Sequence, residues 1–234
     1  MNFFERILKH TGGEYYGRPF LLAPWEEEAV SNLFGWRNEE GGNLIRLAYL
    51  EVPKKSGKTE FCAGLAVMAL ALSTSKRFEV YSAAAATRQA LNVFRAACKM
   101  VEQHPALASR FRILRGTNRI VKRSDPDSFY GAIASDGDFS DGMNPALIIA
   151  DEVHRWRTRK QLENWDVLTK SGVTRTNRLA VAITTAGVRD ESPLAWRLHE
   201  KALRIREGVI ADSTFYGRVY SASKEDDWTD EQTW

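Results

Sequence analysis

Leu44 to Thr59 reads LIRLAYLEVPKKSGKT, and from Lys58 to Leu72 the chain continues KTEFCAGLAVMALAL. Leu44 to Val52 is an apolar run of the kind a strand needs when it is buried on both faces. Pro53 to Gly57 breaks that run as a turn, and the alanine- and leucine-rich stretch that follows predicts a helix over Lys58 to Leu72. Val52 to Thr59 fits the phosphate-binding pattern G-x-x-x-x-G-K-[ST] at three of its four fixed positions, with Val52 where the first glycine belongs. Each fixed residue has a physical task. Gly57 lets backbone N–H groups approach phosphates, Lys58 supplies a mobile cation, and Thr59 offers a hydroxyl to magnesium. A helix opening at the loop adds an N-terminus, which favours anions.

The alternation of strand and helix extends outward in both directions. Upstream, Trp25 to Phe34 reads as a short helix after Pro24, with Gly12-Gly13 and Gly41-Gly42 as breaks. Downstream, Phe78–Ser82, Ile120–Val121, Phe129–Ala134, Ala146–Ala150 and Leu179–Thr185 read as strands. Thr87–Glu102, Gln161–Lys170 and Pro193–Arg206 read as the helices between and after them. This is the pattern of an α/β fold, a mostly parallel central sheet flanked by helices on both faces. Such sheets bind ligands beyond the carboxyl ends of their strands. Three strands here end in polar or glycine-containing turns, Pro53–Thr59, Asp151–His154 and Thr184–Gly187, which are expected to meet at one site.

In the second turn, Leu147 to Ala150 leads straight into Asp151 and Glu152. Two adjacent carboxylates at the end of a buried strand are costly unless something binds them. Asp151 is expected to help hold Mg²⁺, and Glu152 to orient and deprotonate an attacking water. In the third turn, the hydroxyls of Thr184 and Thr185 stand where a γ-phosphate or that water can be sensed. His154 reads as a local hydrogen-bonding residue or as a coupling of the site to Arg155-Trp156, because the histidines at 10, 104 and 199 offer no ligand set for a metal. Trp156, Trp165 and Trp196 read as core or interface anchors.

Composition excludes several classes. The longest apolar run, Cys62 to Leu72, is half of what a bilayer span requires, so no membrane partner is expected. The first residues lack the pattern of a secretory signal. Two cysteines cannot form a four-ligand zinc site, and so few suit a reducing cytosol. The net charge of +3 is unevenly spread. Arg110, Arg112, Arg115, Arg119, Lys122 and Arg123 form a basic stretch free of acids, which reads as a solvated face or as a contact to a phosphate backbone.

VPKKSGKT, ALIIADEVHRW and AITTAG, in this order and spacing, resemble the motifs of the large terminase subunits of tailed bacteriophages. Arg18-Pro19-Phe20 with Leu22-Ala23-Pro24-Trp25 looks like that family's adenine-side motif, and DDWTDEQTW looks like the stretch that leads into its second domain. The resemblance implies an ASCE-type P-loop NTPase that couples Mg-ATP hydrolysis to movement of double-stranded DNA into a procapsid. It divides the chain into an N-terminal segment (1–43) packed on the ATPase, the ATPase core (44–222), and the acidic start of a linker (223–234) toward a nuclease domain not expected in this chain.

Carried onto this sequence, Pro53, Lys54, Lys55, Ser56 and Gly57 would line the nucleotide together with Lys58, Thr59 and Glu60. Lys58 would touch the β- and γ-phosphates, Thr59 and Asp151 would hold Mg²⁺, and Glu152 would be the catalytic carboxylate. Thr184 and Thr185 would couple hydrolysis to movement. Trp25 and Glu26 match the adenine motif imperfectly, since relatives usually carry glutamine after the aromatic and a carboxylate can only accept. Lys54 stands where many relatives have arginine, a point charge in place of a bidentate fork. A ring of copies would complete each site with a neighbour's arginine; Arg123, Arg155 and Arg157 are the candidates, with Arg175 and Arg178 behind them. DNA would be held by its backbone without sequence preference. The portal protein and small terminase subunit are further partners implied by the resemblance, as is the cytoplasm of an infected bacterium. Two other readings use the same residues. Asp151-Glu152-Val153-His154 matches a DExH-type helicase, and the missing first glycine leaves room for a docking module that binds nucleotide with little turnover.

Overall fold

A computed structural model describes residues 2–134, 142–172, 174–221, 226–227 and 229–230. In chain order the elements are α1 (Asn2–Ile7), α2 (Pro24–Gly35), β1 (Leu47–Glu51), α3 (Lys58–Leu72), β2 (Glu79–Ala84), α4 (Thr87–Gln103) and α5 (Pro105–Arg110). They continue as β3 (Phe111–Leu114), β4 (Arg119–Lys122), β5 (Asp125–Ala134), β6 (Pro145–Asp151), α6 (Arg159–Lys170), β7 (Leu179–Thr184), α7 (Pro193–Arg206) and β8 (Phe215–Val219). The strands form one sheet in the order β3-β4-β5-β2-β6-β7-β1-β8. From β5 to β8 across the sheet every pairing is parallel, and β3 and β4 close one edge antiparallel. This is the mostly parallel α/β sheet expected from the sequence.

The central strands are apolar throughout because successive residues serve opposite cores. Leu147 and Ile149 of β6, with Leu179, Val181 and Ile183 of β7, face the layer of α3 and α4, where Phe61, Leu65 and Tyr130 are buried. Ile148, Ala150, Ala180 and Ala182 face the layer of α6 and α7, around Trp156 and Trp165. Those two rings meet edge to face at 6.1 Å, so they are core anchors as read from the sequence.

The N-terminal segment packs on α3. Phe4 and Leu8 lie over Gly64, whose missing side chain makes the space for them; an added Cβ would strike the Phe4 ring. The acidic stretch read as the start of a linker lies largely outside the described residues.

Residues 110–123 fold into the β3–β4 edge with their arginines exposed, the solvated face read from the sequence, and most of their cations also bond to neighbours. Arg110 donates to Ala71 O (3.2 Å) and Lys122 to Ser73 O (2.7 Å), at the C-terminal end of α3. Cations there complement the negative end of the helix and satisfy carbonyls that lack an intrahelical partner. Arg115 pairs with Glu102 at 2.6 Å, Arg119 covers Phe129, and Arg123 bonds Phe111 O.

The Gly64 contact yields a first expectation. Gly64→Val should displace α1 from α3 and lower unfolding stability by about 1–3 kcal/mol, read from urea denaturation.

Candidate functional site

Parallel pairing fixes where the three turns meet. Glu51 of β1 pairs with Thr184 of β7, and Asp151 of β6 pairs with Ile183. The ends of β1, β6 and β7 therefore stand side by side at one edge of the sheet. The ladder extends past β1, because Val52 N–H donates to Thr184 O (3.0 Å). Val52, buried and still paired with β7, needs no glycine. The left-handed backbone that the loop requires falls at Lys55 (φ +66°) and Gly57 (φ +84°). Ser56 Oγ donates to Pro53 O (2.7 Å) and Lys58 Nζ to the same carbonyl (3.2 Å), so the loop curls back over its own lysine.

The first turn of α3 leaves backbone N–H groups for a ligand. Phe61 N–H already bonds Gly57 O (3.1 Å), which leaves those of Lys58, Thr59 and Glu60 as donors free of the helix ladder. A cavity of about 480 Å³ lies in front of them, with Glu152 and Gly12–Gly13 also on its walls. A hollow of similar size, about 500 Å³, is lined by Phe34, Met68, Leu72, Phe78 and Leu179, at the other end of α3 and of the sheet.

The two carboxylates behave oppositely. Asp151 is buried; burial and the neighbouring Glu152 push its carboxyl up to about 7 despite the charge of Lys58, and its Oδ1 has no hydrogen-bond partner. Glu152 is also penalised by burial, but His154, Lys58 and the Thr185 N–H outweigh that and hold it below the usual glutamate range. Burial thus draws one carboxyl toward neutrality while its neighbours hold the other charged, two environments for two adjacent carboxylates. An orphaned buried carboxylate oxygen at the end of β6 and a hydroxyl at the start of α3 are hard oxygen donors of the kind that suits Mg²⁺, so the chemistry of Asp151 and Thr59 fits the metal. Glu152 itself sits in the left-handed region (φ +52°), which costs a non-glycine residue about 1–2 kcal/mol and marks a site where the chain turns sharply out of β6.

His154 bridges the second and third turns. Thr184 Oγ1 spends its one proton on Thr185 O (2.9 Å), so His154 Nδ1–H donates to that hydroxyl (2.8 Å), as does His154 N–H (3.2 Å). Nδ1 also lies 3.1 Å from Glu152 Oε2. The ring edge thus lies between Thr184 and the Glu152 carboxylate. Ser192, just before α7, donates to His154 O (2.9 Å), so the carboxylate, Thr184 and α7 share one residue. The sequence suggested a local hydrogen-bonding role for His154, but not this partner.

Glu60 lines the cavity, with its side chain bonded to Thr11 and His10. Trp25 packs edge-on against Phe61 (5.0 Å), and Glu26 is buried behind Gly57, accepting from Ala23 N–H (2.8 Å) at the start of α2. Burial drives the Glu26 carboxyl up to about 7, against the Ala23 N–H and with help from the charge of Glu60. In its protonated form it donates as well as accepts, as an amide would. Arg123 follows β4 at the far end of α3 and does not reach this chain's own loop. Arg175 and Arg178 precede β7 and bond Asn144 O and Thr169 O, so they too belong to the opposite edge. Arg157 lies 3.0 Å from Glu191, while Arg155 stands exposed on the turn after Glu152. The wall formed by Gly12–Gly13 was read from sequence only as a break.

Glu26 carries a pH signature. The folded state binds its proton more tightly than an unfolded chain with an ordinary value near 4.5, so this residue's contribution is present at low pH and is lost as pH rises toward 7. Glu26→Gln keeps the acceptor for Ala23 without a charge to bury. In urea unfolding it should match the native chain at pH 4 and exceed it by about 1–3 kcal/mol at pH 8.

The model of the terminase large subunit ATPase domain matches residues 24–212. The large terminase subunit of Enterobacteria phage HK97 is 25% identical over 99% of this chain and 44% of its own length. The crystal structure of the HK97 large terminase superimposes with a TM-score of 0.80 at 24% identity, covering 99% of this chain and 45% of that one. The large terminase ATPase domain of Thermus phage P74-26 gives a TM-score of 0.53 at 15% identity, over 83% of this chain and 85% of that one. The chain therefore spans less than half the length of the HK97 relative.

Proposed function

The chain belongs to the family of terminase large subunit ATPase domains, and from that premise we propose that it hydrolyses Mg-ATP to drive double-stranded DNA into a procapsid. One observation carries this reading: the loop after β1 and Glu152 after β6 line one cavity of about 480 Å³, and the turn after β7 is bonded to that carboxylate's neighbour His154 through Thr184. The family match disfavours the helicase reading of Asp151-Glu152-Val153-His154.

In this reading the free N–H groups of α3's first turn and the Lys58 ammonium cradle the phosphates. Thr59 and Asp151 hold Mg²⁺, which when bound neutralises charge on the phosphates. Glu152 takes a proton from water as that water's oxygen bonds to the γ-phosphorus. The bond from the γ-phosphorus to the oxygen shared with the β-phosphate breaks, leaving ADP and inorganic phosphate. His154 keeps the charged form of Glu152 favoured and passes its position to Thr184, Ser192 and so to α7, a physical route from hydrolysis to movement. The DNA backbone, the portal protein, the small terminase subunit and further copies of this chain in a ring are the proposed partners, in the cytoplasm of the infected cell. Within such a ring Arg155, exposed beside Glu152, is the arginine best placed to reach a neighbour's phosphates.

Steady-state hydrolysis measured against protein concentration tests this. Turnover per subunit should rise with concentration. Glu152→Gln should lower it by roughly 10²- to 10⁴-fold while leaving ATP affinity within a few-fold, and Lys58→Ala should weaken ATP binding about tenfold or more. A rate that stays low and flat, equal in all three proteins, would favour the nucleotide-binding docking module.

A further inference from the structure

Residues 9–19 form a closed loop ahead of α2. Lys9 and Pro19 bridge antiparallel, His10 N–H donates to Arg18 O (3.0 Å), and Gly17 N–H donates to His10 O (3.0 Å). Its tip, Gly12–Gly13, forms part of the wall of the phosphate cavity. Gly13 has φ +65°, a conformation that side chains seldom take, so this wall is backbone by necessity.

The loop is fastened to α3 by a residue one place beyond the phosphate-binding threonine. Glu60 Oε1 accepts from Thr11 N–H (2.6 Å) and Thr11 Oγ1 (2.5 Å), and Glu60 Oε2 lies 2.7 Å from His10 Nδ1. Those donors hold the carboxylate below its usual range although burial works against its charge. From α4, Lys99 Nζ donates to Thr11 O (3.1 Å) and Gln103 Nε2 to His10 O (3.2 Å). A carboxylate one residue past the phosphate loop would repel a polyphosphate if left free. Here its lone pairs are turned away and occupied, while its backbone N–H remains on the ligand side.

The cavity has two chemical ends. Glu152 and Lys58 stand at the reacting end. If the γ-phosphate lies at that end, the α-phosphate and nucleoside would run along α3's first turn toward Glu60 and the Gly12–Gly13 wall tied to it. We infer that Thr11–Gly13 is a strap walling the nucleoside end of the cavity, and that Glu60, latched by His10 and Thr11, is the positioning residue that holds it there. This rests on the ATP reading above. It assigns Glu60 to the ligand's nucleoside side through the strap and not through direct contact.

Two ligands separate the ends: ATP carries a nucleoside and tripolyphosphate does not. Calorimetric titration of each, with Mg²⁺, into the native chain and into Glu60→Ala, Glu60→Gln and His10→Ala makes the test. Glu60→Ala should weaken ATP about tenfold and leave tripolyphosphate within about twofold, the effect of losing a set of charge-assisted hydrogen bonds. Glu60→Gln, which still accepts from Thr11, should recover most of the loss. His10→Ala leaves α3 untouched and should shift ATP in the same direction by less, so it serves even if Glu60→Ala fails to fold. An equal loss for both ligands, or ATP affinity unchanged in all three variants, overturns the strap. Failure of the native chain to bind ATP, or ATP binding untouched in Lys58→Ala, would instead overturn the nucleotide site itself.

Discussion

The register between β1, β6 and β7 is the constraint on which everything else depends. It sets Glu51 beside Thr184 and Asp151 beside Ile183, so that the chain leaves all three strands at one level. A slip of one residue in any of these strands would exchange its two faces, sending Ile148 and Ala150 toward the α3 core and Leu147 and Ile149 toward Trp156. It would also carry Asp151 or Thr184 away from the loop. The apolar pattern that fills two cores therefore also aligns the polar ends, and one set of burial energies serves fold and site together.

At that aligned edge, charge is arranged in opposition. Asp151, buried with an unpartnered oxygen, has its carboxyl pushed up to about 7, while Glu152, next to it, is held below the glutamate range by His154 and Lys58. The separation depends on Glu152 leaving the strand in a left-handed conformation, because an extended continuation would send its side chain to the opposite face of the sheet from that of Asp151. The strain at this one residue is offset by the surrounding contacts: His154 and Ser192 pin the turn that follows, and Val153 and Trp156 are buried beneath it.

Much of this was legible in the sequence. The apolar runs at Ala146–Ala150 and Leu179–Thr185 are long and continuous, and they became β6 and β7 to within a residue or so. The loop after β1 declared itself through Gly57, Lys58 and Thr59. The features without a sequence signature are shaped by tertiary context. Phe215–Val219 contains a glycine and an arginine and is a strand because β1 offers it an edge. Arg110 and Lys122 belong to the solvated row, yet both also bond carbonyls at the end of α3, 39 and 49 residues away in sequence. Glu60 was grouped with the phosphate loop by adjacency, whereas its side chain answers to residues 10 and 11. Long-range pairings of single polar groups leave no periodic trace, so patterning cannot find them.

In the proposed function, one edge of the sheet holds Mg-ATP between the loop after β1 and the carboxylates after β6. A crystal structure of this chain with Mg²⁺ and a non-hydrolysable ATP analogue tests it most directly. The account predicts the triphosphate on the N–H groups of Lys58, Thr59 and Glu60, with the metal beside Thr59 and Asp151 and Glu152 facing the γ-phosphate. A nucleotide bound elsewhere, such as in the apolar hollow at the far end of α3, or a metal that ignores Asp151, would contradict it.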